Sequence, residues 1–215
     1  MSKQVSTMTS KPNLIDVFYA SEDELKDYNQ KARELSRKHF GDELVAYYPG
    51  KSFPTVSLTG SNCAQNCLYC DKYYLQNMKA VISPDDLLMY ALDLEKNNGT
   101  GMLLSGGYTE ESIVPFEPFL DTIEKIKQET KLKINIHPGL INKKQAKKLA
   151  KVGVDSVSFD LITDDIVISE IIQNGKTGKD YKEAYETMVN AGLNVIPHIC
   201  LGLYYGTEKG NLKTL

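Results

Sequence analysis

The chain has 215 residues, 41% of them hydrophobic and 25% charged, with a formal net charge of −3; this balance suits one globular domain with a sizeable core. No basic tract supports nucleic-acid binding, no apolar run reaches the length of a membrane span, and the amino terminus lacks a signal-peptide core. A reducing, cytoplasmic setting is expected, because a dense group of cysteines oxidises elsewhere.

Residues 1–12 are polar and are expected to be loose. Ser21 and Glu24 match a capping box, and Leu25, Tyr28, Ala32 and Leu35 recur at helical spacing, so a helix is expected from Ser21 to a stop by Gly41. Residues 1–50 thus read as an N-terminal helical extension, which either covers one end of the main domain or simply packs on it. From Thr55 the pattern alternates. Strands are expected at 55–59, 101–107, 133–139, 155–161 and 194–203. Helices are expected from Ser83–Pro84 to Gly99, over 116–129, from Asn142 to a Gly153 cap, and over 179–191. Near-continuous apolar strands separated by amphipathic helices predict an α/β fold, a partial parallel (βα) barrel of five to six units over 51–215. The final TEKGNLKTL starts like a helix and stops. The edge left by the fifth strand therefore predicts a missing last βα unit or a covering partner.

The first expected strand runs into TGSNCAQNCLYC, which places Cys63, Cys67 and Cys70, three of the four cysteines, within eight residues. Thiolates at that density suit a shared metal. Four would suggest structural zinc, whereas three leave an iron–sulfur cluster with one iron open. A zinc knuckle or three unligated thiols are the other readings. The loop sits at the carboxyl end of a strand, where parallel α/β folds bind ligands.

The C-x3-C-x2-C spacing, with Tyr69 before the last cysteine, resembles the cluster loop of radical S-adenosylmethionine (SAM) enzymes. The resemblance implies Cys63, Cys67 and Cys70 as ligands of a [4Fe–4S] cluster whose open iron chelates SAM. It also implies one-electron cleavage of SAM to methionine and a 5′-deoxyadenosyl radical. In this family Tyr69 stacks near the adenine; read alone, it is equally a packing aromatic. The family carries a Gly-Gly-Glu-like motif after the second strand. Here Ser105, Gly106 and Gly107 are followed by Tyr108, so backbone groups rather than a carboxylate are expected to meet SAM. Asp160, with Ser158 as the alternate, matches the polar ribose position on the fourth strand; a loop carboxylate is the plainer reading. The segment ICLGLYYG implies that backbone near His198 and Ile199 lies along the adenine.

SLTG, LLSGG, INIHPG, SFDL and VIPHICLGL together resemble the biotin synthase and lipoyl synthase branch, and within it one subunit of a two-component lipoyl synthase. That implies sulfur insertion into a protein-bound octanoyl chain. The partners implied are a ferredoxin- or flavodoxin-type electron donor, a second radical SAM subunit and a lipoyl-carrier protein. Beyond the three loop cysteines only Cys200 remains, so the sulfur must come from a partner, or the reaction is another one, such as methyltransfer, rearrangement or cofactor assembly. A non-catalytic metal-binding or sensor protein is the reading from another class. His137 and His198 are expected either at the barrel mouth or as hydrogen-bonded core residues, and Cys200, on the His198 face, either as a ligand of a second cluster or a sulfur carrier or, the better reading, as a buried inert thiol. His39 and the lysines at 143, 144, 147, 148 and 151 read as solvated helix surface.

Overall fold

The computed structural model describes residues 14–44, 46, 48, 50–210 and 214. The polar stretch expected to be loose, 1–12, lies outside them, as does most of the chain after Gly210. The chain divides into two compact units, 1–48 (with 215) and 49–214. The first contains α1 (Leu14–Phe18) and α2 (Glu22–Phe40). Ser21 caps α2 as its spacing requires: its side chain accepts from the Glu24 N–H while the Glu24 carboxylate accepts from the Ser21 N–H. His39 lies on the exposed surface of this helix.

The second unit is built on one sheet of six parallel strands. In chain order its elements are β1 (Thr55–Ser57), α3 (Tyr73–Gln76), β2 (Lys79–Ala80), α4 (Pro84–Lys96), β3 (Gly101–Ser105), α5 (Leu120–Glu129), β4 (Lys133–Ile136), α6 (Lys143–Val152), β5 (Ser156–Asp160), α7 (Asp165–Val167), α8 (Gly178–Asn190) and β6 (Val195–His198). The strand order is β2-β1-β3-β4-β5-β6, the expected partial barrel with one extra edge strand. Periodicity cannot reveal β2, because it has two residues, both exposed. The strands stop short of the expected ends: β1 at Ser57 instead of 59, β3 at Ser105 instead of 107, β4 at Ile136 instead of 139, and the last at His198 instead of 203, with Ile196, Pro197 and His198 exposed.

The core follows from alternation. Val56, Met102, Leu104, Ile134, Ile136, Val157 and Phe159 point from the strands into one buried cluster. Leu87 and Ala91 of α4, Ile123 and Ile126 of α5, Ala146 and Leu149 of α6, and Ala184 and Met188 of α8 meet them at helical spacing. The caps fix where these helices begin. Ser83 and Asn142 accept backbone N–H groups at the starts of α4 and α6, and Gly153 closes α6 with φ +76°. At the amino ends of the strands the Asp155 carboxylate collects Lys127 (2.5 Å), Lys133 (2.9 Å) and the Ile134 N–H (2.8 Å). The lysine face of α6 is solvated as expected, with Lys148 paired to Glu117.

Between α7 and α8 the crossover contains a π-helical turn, Ile168–Ile172. Its Val167, Ile171 and Ile172 form a second apolar cluster with Ile162, Leu203 and Tyr204 against Cys67. The Ile171 carbonyl accepts from the Leu68 N–H at 2.9 Å, which ties the crossover to the cysteine loop.

Candidate active site

Register brings the chemistry to one end of the sheet. Ser57 pairs with Ser105, Leu104 with Ile136, and Asp160 with His198. The cysteine loop, the two glycines, His137, Asp160 and His198 therefore emerge from the carboxyl ends of neighbouring strands. A cavity of about 300 Å³ opens at this end, walled by Cys63, Cys67, Tyr69, Cys70, Ser105, Gly106, Gly107, His137 and Asp160, among others. Six residues that the sequence singled out individually (Tyr69, Ser105, Gly106, Gly107, His137 and Asp160) share this wall with the three thiols.

Ser158, His198 and Ile199 are not part of that wall. Ser158 is buried and engaged with Asn135, whose amide donates to its Oγ at 2.9 Å and accepts from its N–H at 3.1 Å. Ile199 lies beyond the strand end. His198 reaches the site through Asp160. Cys200 corrects the sequence reading: because β6 stops at His198, this thiol sits in the following loop, exposed and on the cavity wall rather than buried.

Among the described residues, no group of three or more His, Cys, Asp or Glu side chains is close enough to hold one metal ion. A zinc knuckle needs its thiolates about 2.3 Å from a single centre. Thiols spread around a common cavity fit a polynuclear cluster, in which each thiolate binds a different iron. Cys67 lies in the apolar nest around the π-helical turn. Burial, then the neighbouring Cys63 and Cys70, pushes its thiol up to about 11.

The glycines hold the strand end against the loop. A Cβ at Gly107 would stand 1.9 Å from the Asn62 carbonyl oxygen and 2.6 Å from the Cys63 Cβ. The Gly107 N–H donates to Thr59 Oγ1 at 2.7 Å. This amide is thus committed to the loop instead of being free for a ligand. Thr59 and Tyr108 complete the junction, since the Tyr108 N–H donates to Cys63 Sγ at 3.3 Å.

Opposite the cysteines, Asp160 lies between two imidazoles. His137 Nε2 is 3.4 Å from Oδ2 and His198 Nδ1 is 3.4 Å from Oδ1. The two rings are nearly parallel, at 11° and 6.5 Å between centroids. Burial draws the Asp160 carboxyl up, but contact with His137 and then His198 outweighs it and holds the group below the usual carboxylate value. A smaller inner cavity adjoins the first through Gln65, Cys67, Tyr69, Tyr108, Asp160 and Ile162, and is further lined by Ser112, Asn174 and Tyr181. Gln65 donates to the Thr109 carbonyl at 3.0 Å, and Asn174 donates to the Tyr181 hydroxyl at 3.1 Å. Ser112, Asn174 and Tyr181 carry no sequence motif.

The sequence profile of the radical SAM superfamily matches residues 57–213. Biotin synthase of Methanococcus vannielii is 29% identical over 175 residues, which cover 78% of this chain and 51% of that protein. Biotin synthase of Burkholderia mallei is 24% identical over 184 residues, 84% of this chain and 53% of that protein. The chain thus spans about half the length of these relatives. Among solved structures, methylornithine synthase aligns with a TM-score of 0.58 at 16% identity over 86% of this chain and 53% of its own. The [FeFe]-hydrogenase maturase HydG of Carboxydothermus hydrogenoformans gives 0.64 at 18% over 92% and 45%. Both likenesses are of fold. The chain belongs to the radical SAM superfamily, whose members use a [4Fe–4S] cluster and SAM.

Proposed function

We propose that Cys63, Cys67 and Cys70 hold the cluster, and that SAM lies across the same cavity with its ribose on Asp160. The observation carrying this reading is the convergence of three thiols, a glycine-bearing strand end and one carboxylate on one cavity. The donor set fits: three soft sulfur ligands leave one site open for an exogenous ligand. The chemistry that cluster and SAM supply when bound is reductive cleavage to methionine and a 5′-deoxyadenosyl radical.

This chain's own residues do the rest. The nest of Val167, Ile171, Ile172, Ile162 and Leu203 keeps water from Cys67 and from the adjacent cavity wall. Ser105, Gly106 and Gly107 would hold the amino-acid end of SAM. Tyr69, 44% exposed at the rim, would pack against the adenine. Asp160 accepts from ribose hydroxyls, and His137 and His198 keep it ionised.

For the reaction itself, sulfur insertion of the lipoyl type is the first reading, with the biotin synthase relatives in support. In the two-component form of this reaction the inserted sulfur comes from a second subunit, and the octanoyl chain arrives on its carrier protein. A ferredoxin- or flavodoxin-type protein supplies the electron. The second reading is another radical SAM reaction, such as methyltransfer, rearrangement or cofactor assembly.

Anaerobic iron and sulfide reconstitution tests the cofactor assignment. It should give about four irons per chain and, after reduction, an electron-resonance signal that changes on adding SAM. Uptake of a single zinc ion instead would remove the cluster. SAM cleavage stimulated by an octanoylated carrier favours the first reaction, and indifference to that carrier favours the second.

A further inference from the structure

In this chain the position after the two glycines is Tyr108, where the family pattern has an acidic residue. The structure shows what the tyrosine contacts. Its N–H donates to Cys63 Sγ at 3.3 Å and its carbonyl accepts from the Ala64 N–H at 2.8 Å, so its backbone is pinned to the cysteine loop. Its hydroxyl meets His137 Nδ1 at 3.2 Å. His137 Nε2 in turn faces Asp160 at 3.4 Å, and His198 closes the other carboxylate oxygen. The ring is wedged as well. Gly139, with φ +81°, leaves it room, because a Cβ there would stand 2.9 Å from Tyr108 Cε1.

We propose that Tyr108 and His137 form a strut that fixes the Asp160 carboxylate relative to the cluster loop, and so sets how tightly the ribose of SAM is held. This rests on the reading of Asp160 as the ribose ligand. An ionised carboxylate only accepts, so the His137 nitrogen facing it carries the hydrogen. The tautomer with its hydrogen on that nitrogen leaves Nδ1 to accept from the Tyr108 hydroxyl, and each contact fixes the orientation of the next group. Tyr108 and His137 are positioning residues: they touch Asp160 or its support, and Asp160 touches the ribose. One residue thereby joins a cluster thiolate to the ribose carboxylate.

The test is SAM binding to the anaerobically reconstituted protein, measured as a dissociation constant without turnover. Tyr108→Phe keeps the ring against Gly139 and the backbone on Cys63, and removes only the hydroxyl. It should weaken SAM binding by about two- to tenfold, the loss of about one net hydrogen bond. Iron content should stay the same. His137→Phe should cost as much, and the double variant no more than either single one, because the two act in series. His137→Gln, whose amide can donate to Asp160, should retain most of the affinity. With a 2′,3′-dideoxyribose analogue of SAM the difference between wild type and the Phe variants should vanish. Wild-type affinity in both Phe variants overturns the strut, as do losses that multiply in the double variant or persist with the dideoxy analogue. Asp160→Ala separates the two failures. If it weakens binding while the Phe variants do not, only the strut falls; if it too binds SAM normally, the ribose assignment falls and takes the strut with it.

Discussion

Gly107→Ala probes the junction on which the site depends. Adding one methyl group places a Cβ 1.9 Å from the Asn62 carbonyl oxygen and 2.6 Å from the Cys63 Cβ, where ordinary contact begins at 3.4 Å. Neither neighbour is the end of a flexible side chain, so the strand end and the cysteine loop must part by about 1.5 Å at the closest point. Overpacking of this kind costs about 1–3 kcal/mol, and the stiffer unfolded chain returns less than about 1 kcal/mol. A net loss of about 2 kcal/mol lowers the melting temperature by roughly 4–8 °C for a chain of this size. The effect on the cluster is larger, because metal–ligand distances hold to about 0.2 Å. Iron uptake on reconstitution should fall below about half of wild type. Gly192→Ala serves as control: its Cβ meets nothing within 4 Å, and its φ of +82° adds only left-handed strain of about 1–2 kcal/mol. It should destabilise the protein and leave iron uptake intact. Wild-type stability and iron content in Gly107→Ala would refute the close approach.

Other perturbations separate chemistry from scaffold. Cys67→Ala should abolish SAM cleavage in reconstituted protein, read as the absence of 5′-deoxyadenosine; retained cleavage removes this thiol from the cluster. Asp160→Ala should weaken SAM binding by about 1–3 kcal/mol, measured calorimetrically, because the ribose hydroxyls lose a desolvated acceptor. At the far end of the sheet, Asp155→Ala should cost about 2–3 kcal/mol of stability without changing SAM affinity, since it leaves the Ile134 N–H without its acceptor and the half-buried Lys127 ammonium with the Leu132 carbonyl but no counter-charge. The Asp155 carboxyl also gives a pH signature. Burial draws it up, but bonds from Lys127, Ile134 and Lys133 hold it below the usual carboxylate value. Its contribution is therefore complete above about pH 4, the unfolded value, and is lost as pH falls through the lowered native one. The melting-temperature difference between wild type and Asp155→Ala should shrink below that pH, and a difference unchanged down to pH 2 contradicts the carboxylate network.

What could be read from the sequence was whatever local chemistry fixes. Ser21, Ser83 and Asn142 announce helix starts because the cap acts within three residues. The strands at Met102–Leu104, Ile134–Ile136 and Val157–Phe159 announce themselves by apolar content. The cysteine spacing identified the loop, and the strand ends placed Gly107 and Asp160 beside it. What escaped depends on pairing between distant segments. The edge strand Lys79–Ala80 exists only through its bonds to β1. The π-helical turn around Ile171 is defined by what it covers, Cys67. Ser158 and Asp160 share a strand, but cross-strand register gives the first to Asn135 and the second to His137 and His198. Tyr108 read as a departure from a motif; its contacts with Cys63 and His137 lie 45 and 29 residues away in the chain. The apolar run through Cys200 predicts a buried thiol on a continuing strand, but the strand ends two residues before it.

The most direct measurement is made on anaerobically reconstituted protein: add SAM and dithionite, then separate the products by chromatography. Formation of 5′-deoxyadenosine, dependent on the reductant and lost in Cys67→Ala, is the predicted result. A protein that carries its full complement of iron, binds SAM and still releases no 5′-deoxyadenosine under these conditions would contradict the assignment of this cavity as a radical-generating site.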